Sequence, residues 1–176
     1  MVQNLCKTLL ALLLCIAVIS PTADAQEYGT IQALATVVTS LSVVGNTNLQ
    51  FGAVTPGINK TVDKSTVGSA GEWTVTGVAN AEVTLDITLP DSLVTIDSLA
   101  YMRISFSNTD ASYDDGTGTG QLSPAGILDP NNFATLRLGA GSTLNVWIGG
   151  TVLPSISQTG GDYASDIVLT VAYTGN

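Results

Sequence analysis

The sequence predicts an all-β chain folded as an antiparallel β-sandwich, and three observations carry that prediction. Two stretches alternate with a period of two: Glu82 to Leu89, where Val83, Leu85, Ile87 and Leu89 share a face, and Ala164 to Tyr173, where Ile167, Leu169, Val171 and Tyr173 do. Short β-prone runs recur roughly every eight to twelve residues, separated by Gly, Pro, Asn or Asp. No window keeps a 3.6-residue period for longer than two turns, so helices find no support.

The first 25 residues read as an export signal that is later removed. Lys7 supplies the positive start, Leu9 to Ile19 is apolar apart from Cys15, and Ala23-Asp24-Ala25 has the small-x-small pattern of a cleavage site. The apolar run is too short to span a bilayer as a helix, so the mature form is expected to carry no membrane span. Leu14 stands where a lipoprotein signal wants Gly or Ala before Cys15. Residues 26–176 are then expected to form a single domain, and both cysteines, Cys6 and Cys15, leave with the signal. An exported domain without disulfides depends on its core for stability.

Each element follows from local pattern. Thr30 to Val44 is β-prone, with Ile31, Ala33, Ala35 and Val37 as one alternating series. Asn46 to Asn48 predicts a turn, Leu49 to Gly52 a short strand, and Pro56-Gly57 another turn. Lys60 to Ser65 predicts an edge strand whose lysines discourage further pairing. Trp73 to Gly77 is the next strand, then Glu82 to Leu89, which Pro90-Asp91 stops. Leu93 to Ile96 reads as a short return. Tyr101 to Phe106 places Met102, Ile104 and Phe106 inward and Arg103 and Ser105 outward. Ser107 to Gln121, rich in Asp and Gly, reads as a solvated loop. Phe133 to Leu138 and Thr143 to Leu153 are further strands, the latter facing inward at Leu144, Val146 and Ile148. The alternating strand ending at Tyr173 reads as an edge or closing element.

Charge limits the partners. The net charge is −9, and Lys60, Lys64, Arg103 and Arg137 are the only cations beyond the signal. Such a surface argues against nucleic acid and anionic lipid. Only 11 % of residues are charged, a composition that suits a β-protein partly covered in an assembly.

The missing side chains limit the chemistry. The sequence has no histidine, and the mature part has no cysteine, which removes Ser/His/Asp triads, Cys/His nucleophiles and ordinary zinc sites. Glu82 and Asp86 sit on the polar face of a strand, where solvated carboxylates are expected. No catalytic site, cofactor site or metal site is therefore assigned. Asp110, Asp114 and Asp115 offer oxygen ligands for calcium, but their spacing does not match an EF-hand loop, and a mobile solvated segment is the expectation. Trp73 and Trp147 offer an aromatic platform for glycans, against core packing as the simpler reading. Asn59-Lys60-Thr61 is a glycosylation sequon of a kind common by chance.

Three stretches together resemble a bacterial family of secreted domains, domain of unknown function 4402. They are Leu49-Gln50-Phe51-Gly52, Gly71-Glu72-Trp73-Thr74-Val75-Thr76-Gly77-Val78-Ala79-Asn80, and Gly149-Gly150-Thr151-Val152-Leu153 leading into Gly161-Asp162-Tyr163. The resemblance implies an immunoglobulin-like, pilin-like sandwich similar to fimbrial subunits that polymerise by strand donation. It implies secretion through the periplasm to the bacterial surface, with copies of the chain or related pilin-like subunits as partners and a periplasmic chaperone as a further candidate. The family brings no catalytic residues. The chain differs from many such pilins in lacking an early-strand disulfide.

The physics of strand donation fits the same stretches. An extended segment such as residues 30–38 can complete a neighbour's sheet, with Ile31, Ala33, Ala35 and Val37 filling its groove. Their burial contributes on the order of 5 kcal/mol. The candidate groove-side strand is the C-terminal one, with Tyr163, Ile167, Leu169, Val171 and Tyr173. The expectation is a structural subunit of an extracellular fimbria-like filament or surface assembly. The alternative is a secreted binding module or adhesin that recognises glycans or another surface partner.

Overall fold

The computed structural model describes residues 32–34 and 40–175. The chain divides into two compact units, 1–36 and 37–176, and every described strand lies in the second. The thirteen strands among the described residues are β1 (Ser42–Thr47), β2 (Lys60–Val62), β3 (Gly71–Thr76), β4 (Glu82–Thr88), β5 (Ser92–Thr95), β6 (Tyr101–Ser105), β7 (Ala111–Asp114), β8 (Gly126–Leu128), β9 (Ala134–Arg137), β10 (Thr143–Ile148), β11 (Gly150–Leu153), β12 (Tyr163–Ala164) and β13 (Val168–Tyr173). All pairings are antiparallel, and the described residues contain no helix. The protein is an all-β sandwich.

A five-stranded sheet, β1-β3-β10-β7-β8, faces a three-stranded sheet, β13-β4-β9. Between them lies the main core. Val75, Leu144, Val146 and Ile148 come from the first sheet, and Val83, Leu85, Ile87 and Leu169 from the second. The alternation at β4 leaves Val83 and Leu85 essentially without solvent contact, while Glu82, Thr84 and Asp86 are half-buried.

A second five-stranded sheet, β12-β5-β6-β11-β2, joins the two layers at one end. Its strands continue those of the other sheets. β11 follows β10 after the single residue Gly149, β5 follows β4 past Pro90, and β12 precedes β13. The crossing at Gly149 depends on the missing side chain. A Cβ there would lie 2.7 Å from the Lys64 amide nitrogen and 2.9 Å from the Asp63 carbonyl carbon, closer than real Cβ contacts come. Met102, Ile104 and Val152 form a smaller core on this sheet, with Leu49, Phe51, Leu93 and Tyr163 packed against it.

Several elements differ from the sequence reading. The turn expected at Asn46 to Asn48 is the end of β1, which runs on to Thr47 through an irregularity in register between Gly45 and Thr47. Side chains carry it onward: Asn46 Nδ2 donates to Thr74 Oγ1 (2.8 Å), which donates to Asn145 Oδ1 (2.9 Å). Leu49 to Gly52 joins no ladder. Gln50 N–H bonds the Ser69 carbonyl (2.8 Å), and Leu49 and Phe51 turn toward the smaller core. β2 stops at Val62 because the Asp63 carboxylate accepts from both the amide and the hydroxyl of Ser65, bending the chain. β5 does not return onto β4; it pairs with β6 and β12. The predicted strand Thr143 to Leu153 is two strands in two sheets.

The largest correction concerns Ser107 to Gln121. It contains β7, an interior strand of the first sheet, and Ala111, Ser112 and Asp114 are buried. β8, which pairs with β7, was not expected at all. Among the described residues β13 is an edge strand, pairing only with β4.

No helix of the described residues is long and apolar enough to cross a membrane.

Candidate functional site

The site is a slot where the sandwich wall is incomplete. β1 ends the first sheet, β12 ends the second five-stranded sheet, and β13 ends the three-stranded one, so each has one unpaired edge among the described residues. The ladder shared by these edges is interrupted. Ala164 pairs with Val94 and Val168 with Thr88, and Ser165, Asp166 and Ile167 between them join no ladder. A cavity of about 900 Å³ opens here.

Three distant segments build it. The floor rests on the apolar face of the second five-stranded sheet, Met102 and Ile104 from β6 and Val152 from β11, with Ile148 at the end of β10; all four are buried, and Leu49, Phe51, Val54 and Tyr163 pack over the first three. Period-two alternation places these three floor residues on one face, opposite Arg103 and Thr151. The 47–54 segment forms one side, contributing Leu49, Phe51 and Val54. Residues 158–167 form the other, with Tyr163 and Ile167. Trp73 closes the inner end. It has the parity of Val75, so it points inward from β3, and it packs over Gly45 of β1, where no side chain intervenes.

The 158–163 rim is held by its own hydrogen bonds. Gln158 Nε2 donates to the Tyr163 hydroxyl (2.7 Å) and to the Tyr101 carbonyl (2.9 Å). Tyr163 donates in turn to the Thr159 carbonyl (2.7 Å). Asp162 and Asp166 are the charged residues of the lining, and neither lysine nor arginine contributes. An apolar floor between backbone edges that are unpaired among the described residues suits an extended segment without negative charge.

The residues picked from sequence divide in two. Tyr163 and Ile167 line the slot, whereas Leu169, Val171 and Tyr173 pack into the main core. Of the candidate donor series, Ile31, Ala35 and Val37 lie outside the described residues, and Ala33 is exposed and in no strand. Sequence reasoning did not assign Trp73, Phe51, Met102, Ile104 or Val152 to the slot. The inward parity of Met102 and Ile104 was visible. What they face depends on Leu49 and Phe51, which looked like strand residues.

The other two candidates resolve differently. Trp147 is 4 % exposed and belongs to the packing of β10, so it offers no platform. The acidic segment is not a mobile loop at Asp114, which is 6 % exposed. One carboxylate oxygen accepts from the amides of Gly116 (2.8 Å) and Gly118 (3.0 Å), and the other from Gly120 (2.8 Å). Burial raises its pKa, and the three amides outweigh burial, so the carboxyl titrates below its ordinary value. Asp110 and Asp115 bind Ser107 and Thr117 locally. No group of three or more metal-ligating side chains gathers among the described residues.

No family model matches the chain, and no curated protein matches it.

Proposed function

We propose that this protein is a structural subunit of an extracellular fimbria-like filament or surface assembly that polymerises by β-strand donation. The single observation that carries the reading is the apolar slot between free strand edges. A sandwich that needed no partner would close that gap, because unpaired edges over an apolar floor are a liability. An incoming strand bonds its backbone to the edges while alternate side chains pack on the half-buried Leu49, Phe51 and Tyr163, which cover Met102, Ile104 and Val152. The series Ile31, Ala33, Ala35 and Val37 has that alternation and carries no charge. Donation from one copy to the next is heterologous and continues as a filament.

The export signal and the resemblance to the secreted family favour assembly at the bacterial surface after passage through the periplasm. A periplasmic chaperone covering the slot before assembly is consistent with its apolar floor. The absence of histidine and of mature cysteine supports a non-enzymatic role. The half-buried aromatic rings of Trp73 and Tyr163 on the slot favour one second reading, a glycan-binding module that stays monomeric.

Negative-stain electron microscopy of the protein without residues 1–25, and of material sheared from expressing cells, tests the proposal. Regular filaments that are lost in Ile31→Asp or Val37→Asp, with export intact, are the expected result. Compact monomers under both conditions overturn it, and glycan binding abolished by Trp73→Ala would then select the second reading.

A further inference from the structure

β6 presents two unlike faces. Met102 and Ile104 point inward beneath the slot, whereas Tyr101, Arg103 and Ser105 point to the outside of the second five-stranded sheet. Directly opposite residues of antiparallel neighbours share a face, so Ser92 of β5 and Leu153 of β11 flank Arg103, and Val94 of β5 stands beside Tyr101. A depression of about 310 Å³ lies on this outer face, walled on one side by the turn at residues 155–159. The sheet separates it from the slot, and the two share only the rim residues Gln158 and Thr159.

The depression gathers side chains that are free to bind. Arg103 is exposed and makes no ion pair among the described residues, whereas Arg137 is held by Glu82. In a chain of net charge −9, this is a guanidinium whose donors remain open. No carboxylate lines the depression. Of the two acids that flank β5, Asp91 precedes Ser92 and has the opposite parity to the Arg103 face. Asp97 is engaged, accepting from the Thr95 hydroxyl (2.6 Å) and the Leu99 amide (3.2 Å). Tyr101, 61 % exposed, offers its ring two residues from Arg103, and Ser155, Ser157 and Thr159 add exposed hydroxyls.

The wall is fixed before any ligand arrives. Gln158 N–H bonds the Ser155 carbonyl (3.1 Å), and Gln158 Oε1 accepts from the Ser155 amide (3.1 Å). Gln158 Nε2 donates to the Tyr101 carbonyl (2.9 Å), which docks the turn onto β6 and lowers the ordering cost of binding.

Each group selects one part of a ligand. A free guanidinium fits a carboxylate with two parallel hydrogen bonds. The Tyr101 ring and Leu153 suit the apolar face of a pyranose, and the serine and threonine hydroxyls can both give and accept hydrogen bonds with its hydroxyls. We infer that this outer face of β6 binds an acidic sugar, a hexuronic or sialic acid residue of a surface glycan, through Arg103 and Tyr101. The inference does not depend on strand donation, because the slot uses the opposite face of β6.

The test titrates glucuronic acid and N-acetylneuraminic acid into the exported protein, with glucose as the neutral counterpart, and follows the backbone amides by NMR. At least one of the acids is expected to bind in the millimolar range and to move the amides of residues 101–103 and 153–159, with glucose about tenfold weaker or more. Arg103→Gln is expected to weaken the acid by a similar factor. Arg103→Lys should lose only part of that, since it keeps the charge without the planar fork. Tyr101→Ala should weaken binding as well, and all three variants should keep the thermal unfolding midpoint because both side chains are exposed. The inference is overturned if neither acid binds, if glucose binds as well as the acids, or if Arg103→Gln changes nothing. Shifts confined to residues 45–54 and 163–167 would place the sugar in the slot and overturn it too. A tetraglutamate peptide that binds as tightly as the sugars would make the ligand an acidic peptide and overturn the saccharide class.

Discussion

The hydroxyl of Tyr173 donates a hydrogen bond to the Ser40 carbonyl at 3.1 Å and accepts one from the Val78 amide at 2.8 Å. One side chain of the C-terminal edge strand thereby fixes the entry to β1 and the turn after β3. Gly77 sits directly under this contact, and a Cβ there would overlap the hydroxyl and come within 2.9 Å of Leu41 Cδ1. The clamp fixes Ser40, where the described chain enters β1, against the turn that follows β3.

Tyr173→Phe is expected to cost about 1 kcal/mol, because Ser40 and Val78 are exposed and water replaces part of what is lost. Gly77→Ala is expected to cost more, roughly 1–3 kcal/mol, since overpacking forces the ring or Leu41 to move. The two changes should not add: removing the hydroxyl relieves the worst overlap, so the double variant should be more stable than the sum implies. Urea unfolding of the four proteins measures this. Simple additivity would mean that Gly77 and Tyr173 do not share the clamp.

The buried carboxylate of Asp114 makes a pH-dependent contribution. Its pKa is depressed in the folded protein, so its stabilisation is fully present above the ordinary value of 3.8 and lost as pH falls through the lower folded value. Asp114→Asn is expected to cost roughly 1.5–3 kcal/mol at neutral pH, the range for hydrogen bonds to a charged group. The gap between wild type and variant should narrow as the solution is acidified below 3.8. Denaturant midpoints at several pH values check this, and a gap that is constant with pH would remove the role given to the charge.

How legible each element was in the sequence depended on whether its neighbours were local. Glu82 to Leu89 was read correctly because one face meets the core and the other stays more open, so parity alone identifies it. β7 was illegible for the opposite reason. Asp114 looks like a loop residue until glycine amides at positions 116, 118 and 120 close around it, and that closure exists only in the fold. Thr143 to Leu153 looked like one strand because the pattern is apolar on both sides of Gly149, whereas the change of sheet arises from close contact with residues 62–64. The slot was half legible. Tyr163 and Ile167 lay in the strand suspected of forming it, but Trp73, Phe51 and Val152 reach it from segments that no local pattern connects.

Gly149 gives the crossing its sharpest test. A methyl group there meets backbone atoms of residues 62–64, which cannot rotate away as a side chain would. Gly149→Ala should therefore displace β2, which pairs only with β11. The expected signature is faster amide exchange at Lys60 to Val62 by at least tenfold, about 1.4 kcal/mol of local opening, with β4 protection unchanged. Equal loss of protection in both strands would show that β2 is not a separable edge.

Trp73 provides a direct readout of slot occupancy. It lines the cavity and is half-buried, whereas Trp147 is almost fully covered, so an aqueous quencher should distinguish two tryptophan populations. A peptide with the sequence of residues 30–38, added to the protein lacking residues 1–39, should protect the accessible population and shift its emission to shorter wavelength as water leaves the slot. The same peptide with Asp in place of Ile31 and Val37 should not, because two carboxylates would enter an apolar floor already bordered by Asp162 and Asp166. Protection by both peptides would point to nonspecific adsorption. Protection by neither would mean that residues 30–38 do not occupy the slot, and the filament reading would lose its donor.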